Sequence, residues 1–179
     1  MNVIETALPG VLIIEPAIFG DDRGFFKETF QAQRYRELGI SQDFVQDNYS
    51  RSSYGVLRGL HFQQQYPQGK LVSCTHGSVF DVIVDIDPAS ATFTQHVSIE
   101  ISGENHRQVY IPPGYAHGFC VLSDTADFMY KCTDYYRPDD EAGILWNDPQ
   151  IDIAWPIIHP TLSPKDTVNM TLDAYQASL

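Results

Sequence analysis

Apolar residues recur along this chain in short runs, and turn residues interrupt them at close intervals. Val11-Leu12-Ile13-Ile14 is the first such run, and Pro16 ends it. Asp21-Asp22-Arg23-Gly24 reads as a turn, and Phe25-Phe26-Lys27-Glu28-Thr29-Phe30 as a strand of good β formers. Gln31 to Leu38 is the one clear early helix, with Gly39 where a C-terminal cap belongs. Beyond Phe44, strands are predicted around 56–63, 70–76, 79–86, 94–101, 107–112, 117–122 and 127–136. Pro67-Gln68-Gly69, His76-Gly77, Asp87-Pro88, Ser102-Gly103-Glu104-Asn105, Pro113-Gly114 and Ser123-Asp124 supply the turns between them. Strand–helix–strand alternation is absent, so this spacing predicts an all-β sandwich or barrel. In the tail, Ser163-Pro164-Lys165-Asp166 precedes an apolar pattern of Val168, Met170, Leu172 and Tyr175. That pattern predicts a loop and then a short helix capping the barrel.

Several strands carry polar residues where the period calls for apolar ones. In Phe80-Asp-Val-Ile-Val-Asp-Ile86, alternation sends Phe80, Val82, Val84 and Ile86 to one face and Asp81, Ile83 and Asp85 to the other. A carboxylate among apolar neighbours must find a partner; Asp81 is either a backbone acceptor at a barrel mouth or part of a site. Lys70 shares a face with Val72, Cys74 and His76. It is either a solvated strand-end lysine or an ammonium poised for a developing oxyanion. Tyr130, on one face with Phe128, Cys132, Asp134 and Tyr136, is either a core phenol or a proton donor. Arg58 and His61 stand three apart and would normally face opposite ways. Gly59 between them is a natural bulge position, and a bulge turns both to one side. The other reading is a surface arginine beside a core histidine. Pro112-x-Gly114-x-x-His117 forces a tight turn and delivers a second histidine to the start of the next strand.

Size and charge narrow the chemistry. A chain of 179 residues with 43% hydrophobic and 12% aromatic residues can bury a real core as one domain. A net charge of -12 and a pI near 4.6 argue against a nucleic-acid partner, whose phosphates require broad positive surface. A few cations gathered in one cleft can still hold a small phosphorylated ligand. Neither a basic N-terminal region with a long apolar run nor any stretch of bilayer-spanning length is present. Cys74, Cys120 and Cys132 lack metal-ligand spacing and sit in apolar strands, which reads as reduced core thiols in a cytoplasmic protein.

Taken together, the motifs resemble those of the dTDP-4-dehydrorhamnose 3,5-epimerases and related deoxysugar-nucleotide epimerases. The matching segments are Asp21-Asp-Arg-Gly-Phe-Phe, Gln46-Asp-Asn, Gly55-Val-Leu-Arg-Gly-Leu-His-Phe-Gln, Gln68-Gly-Lys-Leu-Val and Val79-Phe-Asp-Val-Ile-Val-Asp. They continue with Ile111-Pro-Pro-Gly-Tyr-Ala-His-Gly-Phe, Tyr130-Lys-Cys-Thr-Asp-Tyr-Tyr, Trp146-Asn-Asp and Leu162-Ser-Pro-Lys-Asp. Each alone is weak; their order and spacing over residues 21–166 make the set specific. One departure is Val84-Asp85-Ile86-Asp87, where family members often end in arginine. It removes a cation far from the chemical motifs.

The resemblance implies an all-β cupin (jelly-roll) barrel with a few short helices, forming a single domain over 1–179. It implies an isomerase that epimerises C3 and C5 of dTDP-4-dehydro-6-deoxy-D-glucose, giving dTDP-4-dehydro-L-rhamnose, in the cytoplasm and as a homodimer. By the same resemblance His61 is the base, Asp166 its carboxylate partner, Tyr130 the acid on the opposite face, and Lys70 the stabiliser of the enolate oxygen. Arg23 and Arg58 would serve the diphosphate, and Phe26, Glu28, Gln46, Asn48 and Tyr136 the nucleotide. His117 would line the pocket. No cofactor or metal is expected: metal-binding cupins usually carry His-x-His in the first motif, whereas here His61 is followed by Phe62 and Gln63. The alternatives are an epimerase of a single centre in another deoxysugar pathway, a non-catalytic sugar-nucleotide binder, and a metal-dependent cupin.

Overall fold

The computed structural model describes residues 1–179 as thirteen strands and two short helices. The strands are β1 Asn2–Glu5, β2 Leu12–Glu15, β3 Ile18–Asp21, β4 Gly24–Lys27, β5 Gln46–Ser53, β6 Leu57–Gln63 and β7 Lys70–His76. They continue as β8 Ser78–Asp85, β9 His96–Ser102, β10 Gln108–Ile111, β11 Tyr115–Val121, β12 Thr125–Cys132 and β13 Glu141–Gly143. The helices are α1 Ala32–Glu37 and α2 Leu172–Ala177. All pairings within the sheets are antiparallel. One sheet runs β1-β2-β10-β7-β12-β5 and the other β13-β6-β11-β8-β9, while β3 and β4 form a separate hairpin. This is the jelly-roll architecture expected.

Alternation along the strands sorts the core into three layers. Between the sheets lie Val72 and Cys74 of β7, Phe128 of β12, Ile83 of β8 and Phe119 of β11. On the outer face of the six-stranded sheet, Leu71 and Tyr110 pack with Tyr35 of α1. On the outer face of the other sheet, Leu60, Phe62, Val82 and Val84 pack with Leu172 and Tyr175 of α2. Full burial of one such side chain contributes about 1.5–3 kcal/mol, so each helix is held by a handful of apolar contacts. Helix α1 starts at the cap Gln31, whose side chain accepts from the Arg34 N–H, and ends before Gly39 at φ +91°.

Departures from the expected elements are local. The tail helix forms, but it covers the outside of the five-stranded sheet instead of capping a barrel end, and Val168 is exposed. The strand expected over 127–136 stops at Cys132. There the Thr133 hydroxyl accepts from the Gly69 N–H at 2.7 Å, and residues 133–136 leave the sheet as a loop. Strands β1, β3, β5 and β13 are additions.

Candidate active site

A cavity of about 590 Å³ opens between the two sheets. The six-stranded sheet supplies one wall through β5, β12 and β7, whose register stacks inward residues in rows. Gln46 pairs with Cys132 and Cys132 with Lys70; Asn48 pairs with Tyr130 and Tyr130 with Val72. Tyr130 and Lys70 therefore sit on neighbouring strands of the same wall. Burial raises the Tyr130 pKa, with a smaller push from Cys132 and the Glu141 carboxylate, so the phenol holds its proton at neutral pH. Burial lowers the Lys70 pKa, against the pull of Cys132, Glu141 and Asp81.

The opposite wall carries the histidines. On β6 and β11, His61 pairs with His117 but Arg58 pairs with Phe119, so Gly59 and Leu60 together face Gly118 alone. This is the bulge expected at Gly59, and it sends Arg58 and His61 to the cavity together. Only glycine fits here. Gly59 has φ +134°, and a Cβ on it would lie 2.5 Å from the Gly118 Cα; a Cβ on Gly118 would lie 2.7 Å from the Arg58 carbonyl oxygen. His61 Nε2 lies 2.5 Å from Asp166 Oδ1, and the Ser163 hydroxyl donates to Asp166 Oδ2 at 2.8 Å. Burial pushes the Asp166 pKa up, but the bonds from His61 and Ser163 outweigh it and hold the carboxyl below its usual range. Asp166 is thus an anion in the neutral range, and the ring nitrogen it leaves free is Nδ1.

His117 and Asp81, singled out separately by alternation, meet here: Nε2 to Oδ1 is 2.7 Å, and both are buried. Their partnership explains how β8 tolerates an inward carboxylate. Arg58 donates to the Ser52 hydroxyl at 3.1 Å, which aims the guanidinium across the mouth. Tyr136 reaches the cavity from the loop after β12, with its backbone N–H donated to Gln46 Oε1 and its hydroxyl to Glu141 Oε2. That bond, aided by burial, pushes the Tyr136 phenol up to about 12.

The cavity brings together His61, Tyr130, Asp166 and Lys70, along with Gln46, Asn48, Arg58, His117 and Tyr136. It does not include Arg23, Phe26 or Glu28. The Arg23 side chain is 90% exposed and paired with Asp21, Phe26 is exposed, and Glu28 accepts from Arg34 at 2.7 Å. Two charged cavity residues were not among the candidates. Glu141 and Lys165 form an ion pair in the lining. Lys165 lies inside the Ser-Pro-Lys-Asp motif and was findable there, whereas Glu141 follows Asp139-Asp140 and looks like a solvated acidic run. No group of three or more His, Cys, Asp or Glu is arranged to hold a metal ion.

Chemically, the cavity holds an imidazole backed by a carboxylate on one wall, with a protonated phenol and a half-buried lysine on the other. A ligand between the walls can lose a proton to one side and gain one from the other.

Comparison with known proteins is consistent with this arrangement. The family model for dTDP-4-dehydrorhamnose 3,5-epimerase matches residues 5–174. The dTDP-4-dehydrorhamnose 3,5-epimerase of Escherichia coli K12 is 56% identical over 176 residues, covering 97% of this chain and 95% of its own. The crystal structure of dTDP-6-deoxy-D-glucose-3,5-epimerase from Legionella pneumophila, in complex with dTDP-4-keto-L-rhamnose, superposes with a TM-score of 0.96 at 57% identity, covering 99% of this chain and 95% of that one. A 3'-monoepimerase from Streptomyces bikiniensis, solved with dTDP-quinovose, gives a TM-score of 0.91 at 32% identity, covering 97% and 89%.

Proposed function

Because the chain belongs to the dTDP-4-dehydrorhamnose 3,5-epimerase family, we propose that it inverts C3 and C5 of dTDP-4-dehydro-6-deoxy-D-glucose, yielding dTDP-4-dehydro-L-rhamnose. The observation that carries the reading is the 2.5 Å His61–Asp166 pair in one cavity with Tyr130 and Lys70. A hydrogen on carbon beside the C4 ketone is weakly acidic. His61 takes it through the nitrogen not bound to Asp166, and the carboxylate stabilises the imidazolium that forms. The C–H electron pair moves into an enolate whose oxygen meets the Lys70 ammonium. Tyr130, from the opposing sheet, then donates its proton to the other face of the carbon; the His61 imidazolium releases the abstracted proton to solvent, and solvent reprotonates the phenolate. Repetition at the second carbon completes the reaction. Arg58, Gln46 and Asn48 hold the nucleotide end, where the diphosphate needs cations and the base needs amides. Similarity at 56–57% to 3,5-epimerases against 32% to a monoepimerase favours inversion at both centres.

The test is solvent deuterium uptake into dTDP-4-dehydro-6-deoxy-D-glucose, read by NMR. Label at C3 and C5 is expected. Label at one carbon would mean a single-centre epimerase, and no label would end the assignment.

The working form is a homodimer of single-domain subunits, acting in the cytoplasm; no helix is long and apolar enough to cross a membrane. The β3–β4 hairpin supports association: Phe19, Phe25 and Phe26 are 64%, 59% and 68% exposed around Arg23. An apolar patch of that kind marks an interaction surface. Arg23, Phe26 and Glu28, outside their own cavity, would enter the partner subunit's. Mixing inactive His61→Ala with inactive Arg23→Ala subunits would then restore activity by forming one complete cavity per hybrid dimer. No restoration after confirmed subunit exchange would refute the cross-subunit site.

A further inference from the structure

We infer that Asn169 is a positioning residue for the base, locking the bulge that carries His61 to the turn that carries Asp166, and that Gly143 is glycine to leave room for it. The inference rests on the proposed epimerase reading and names a part that neither the motifs nor the cavity lining points to.

Residues 161–170 form an arch across the five-stranded sheet, pinned by backbone bonds at both ends. At one end Thr161 donates to the Gly55 carbonyl and accepts from the Leu57 N–H; at the other, Met170 donates to the Gly143 carbonyl and accepts from the Leu145 N–H. Between the pins the arch meets β6 at Gly59 and at His61. The Asp166 carboxylate bonds His61 Nε2, and the nearby Gly59 backbone helps to hold its pKa down. From the same arch, Asn169 Nδ2 donates to the Gly59 carbonyl oxygen at 3.4 Å. Gly59 is therefore gripped from the turn that supplies the carboxylate, two residues before the base that the carboxylate must meet.

The space for this grip is made by Gly143. It pairs with His61 across β13 and β6, and a Cβ placed on it would lie 2.6 Å from Cγ, Nδ2 and Oδ1 of Asn169 alike. The Asn169 amide thus rests directly on the Gly143 backbone. Gly143 has no positive φ to require glycine, so its small size serves the amide above it. A bulge lacks part of the ladder that holds an ordinary strand in place, and a base must hold its geometry within a fraction of an ångström. Asn169 supplies the missing restraint.

The experiment compares Asn169→Ala, Asn169→Leu, Gly143→Ala and the double Gly143→Ala/Asn169→Ala with wild type. Asn169→Leu keeps the volume without the donor. Gly143→Ala keeps the donor but displaces it, and only the end of a side chain has to move. Each single variant is expected to lower kcat by about 10- to 100-fold with KM and dTDP affinity nearly unchanged. The double variant is expected to be no slower than Asn169→Ala, since its new methyl occupies space the amide has left. A second readout needs no turnover: the far-downfield proton of the imidazole N–H bonded to Asp166 should weaken or shift in all four. Wild-type kcat and an unchanged proton signal in Asn169→Ala would overturn the inference. So would losses that multiply in the double variant, or losses that only track the amount of folded protein. If wild type itself fails to exchange substrate deuterium, the epimerase reading falls while the proton signal still tests the lock.

Discussion

Asp166→Asn isolates the charge behind the base with almost no change in shape. Asp166 is 3% and His61 26% exposed at the side chain, with Nε2 and Oδ1 2.5 Å apart. When His61 takes a proton, the imidazolium and carboxylate charges lie about 4 Å apart, worth about 4 kcal/mol at an effective dielectric near 20. Discounting for the solvent that reaches His61 leaves about 3 kcal/mol, or roughly 100- to 1000-fold in rate. The amide does further harm. If its oxygen keeps the bond from the Ser163 hydroxyl, its NH2 faces His61 Nε2 and forces the ring proton onto Nδ1, the nitrogen needed as base. The assay is the initial rate of deuterium exchange at C3 and C5 under saturating substrate, with dTDP affinity by calorimetry and Tm as controls. The sign of the pH effect follows from the depressed Asp166 pKa. The carboxylate is lost only as pH falls through its lowered folded value, so Asp166 stays charged from pH about 8 to about 5 and the variant should show a deficit throughout that range. A loss smaller than tenfold, with dTDP affinity and Tm retained, would refute the role assigned to the pair.

Other substitutions separate the parts. His61→Ala should abolish exchange at both carbons and leave dTDP binding nearly intact; residual exchange would place the base elsewhere. Tyr130→Phe should slow inversion at C5 more than proton abstraction, and an equal loss of both would make Tyr130 structural. Gly59→Ala combines φ +134° with a 2.5 Å approach to the Gly118 Cα, so urea unfolding should show a loss of about 2–5 kcal/mol; under 1 kcal/mol would mean the bulge relaxes freely. Arg51 holds the Asp127 carboxyl near 2, against an ordinary 3.8. That stabilisation is near full above pH about 4 and falls away toward pH about 2, so Arg51→Gln should lower Tm clearly more at neutral pH than at pH about 2. A constant Tm difference across that range would remove the ion pair as its cause.

What the sequence disclosed and what it hid divide along one physical line. Strands β6, β7, β8 and β11 carry apolar residues toward the core, and their period exposed them. Strand β5 points Gln46, Asn48 and Ser50 inward, because its inner face lines a wet cavity and not a core, so the hydrophobic pattern has nothing to register there. The Gly59 bulge was legible because an arginine and a histidine three apart make sense on one face only if the strand is irregular. Glu141 was not, since a carboxylate after two aspartates looks solvated until the fold sets Tyr136 and Lys165 beside it. Arg23, Phe26 and Glu28 were named through motifs, and the hydrophobic pattern could not say that the fold leaves them outside the cavity.

The two walls differ in how their chemistry is held, and that difference has consequences. Tyr130 and Lys70 stand on doubly paired strands, beyond the one register shift between Asp127 and Phe128, so the proposed acid and cation are fixed by ladder bonds on both sides. His61 stands on a bulge whose place depends on Gly59, Gly118 and the arch that bears Asp166. Damage to the arch should therefore slow removal of the proton while leaving its return unimpaired. Once deprotonated, substrate in such a variant would still be quenched from the Tyr130 side and emerge inverted. Damage on the Tyr130 wall does the reverse: exchange continues and inversion fails. An inversion-to-exchange ratio that stays at the wild-type value in arch variants and falls in Tyr130 variants follows only if base and acid are mounted independently on the two sheets.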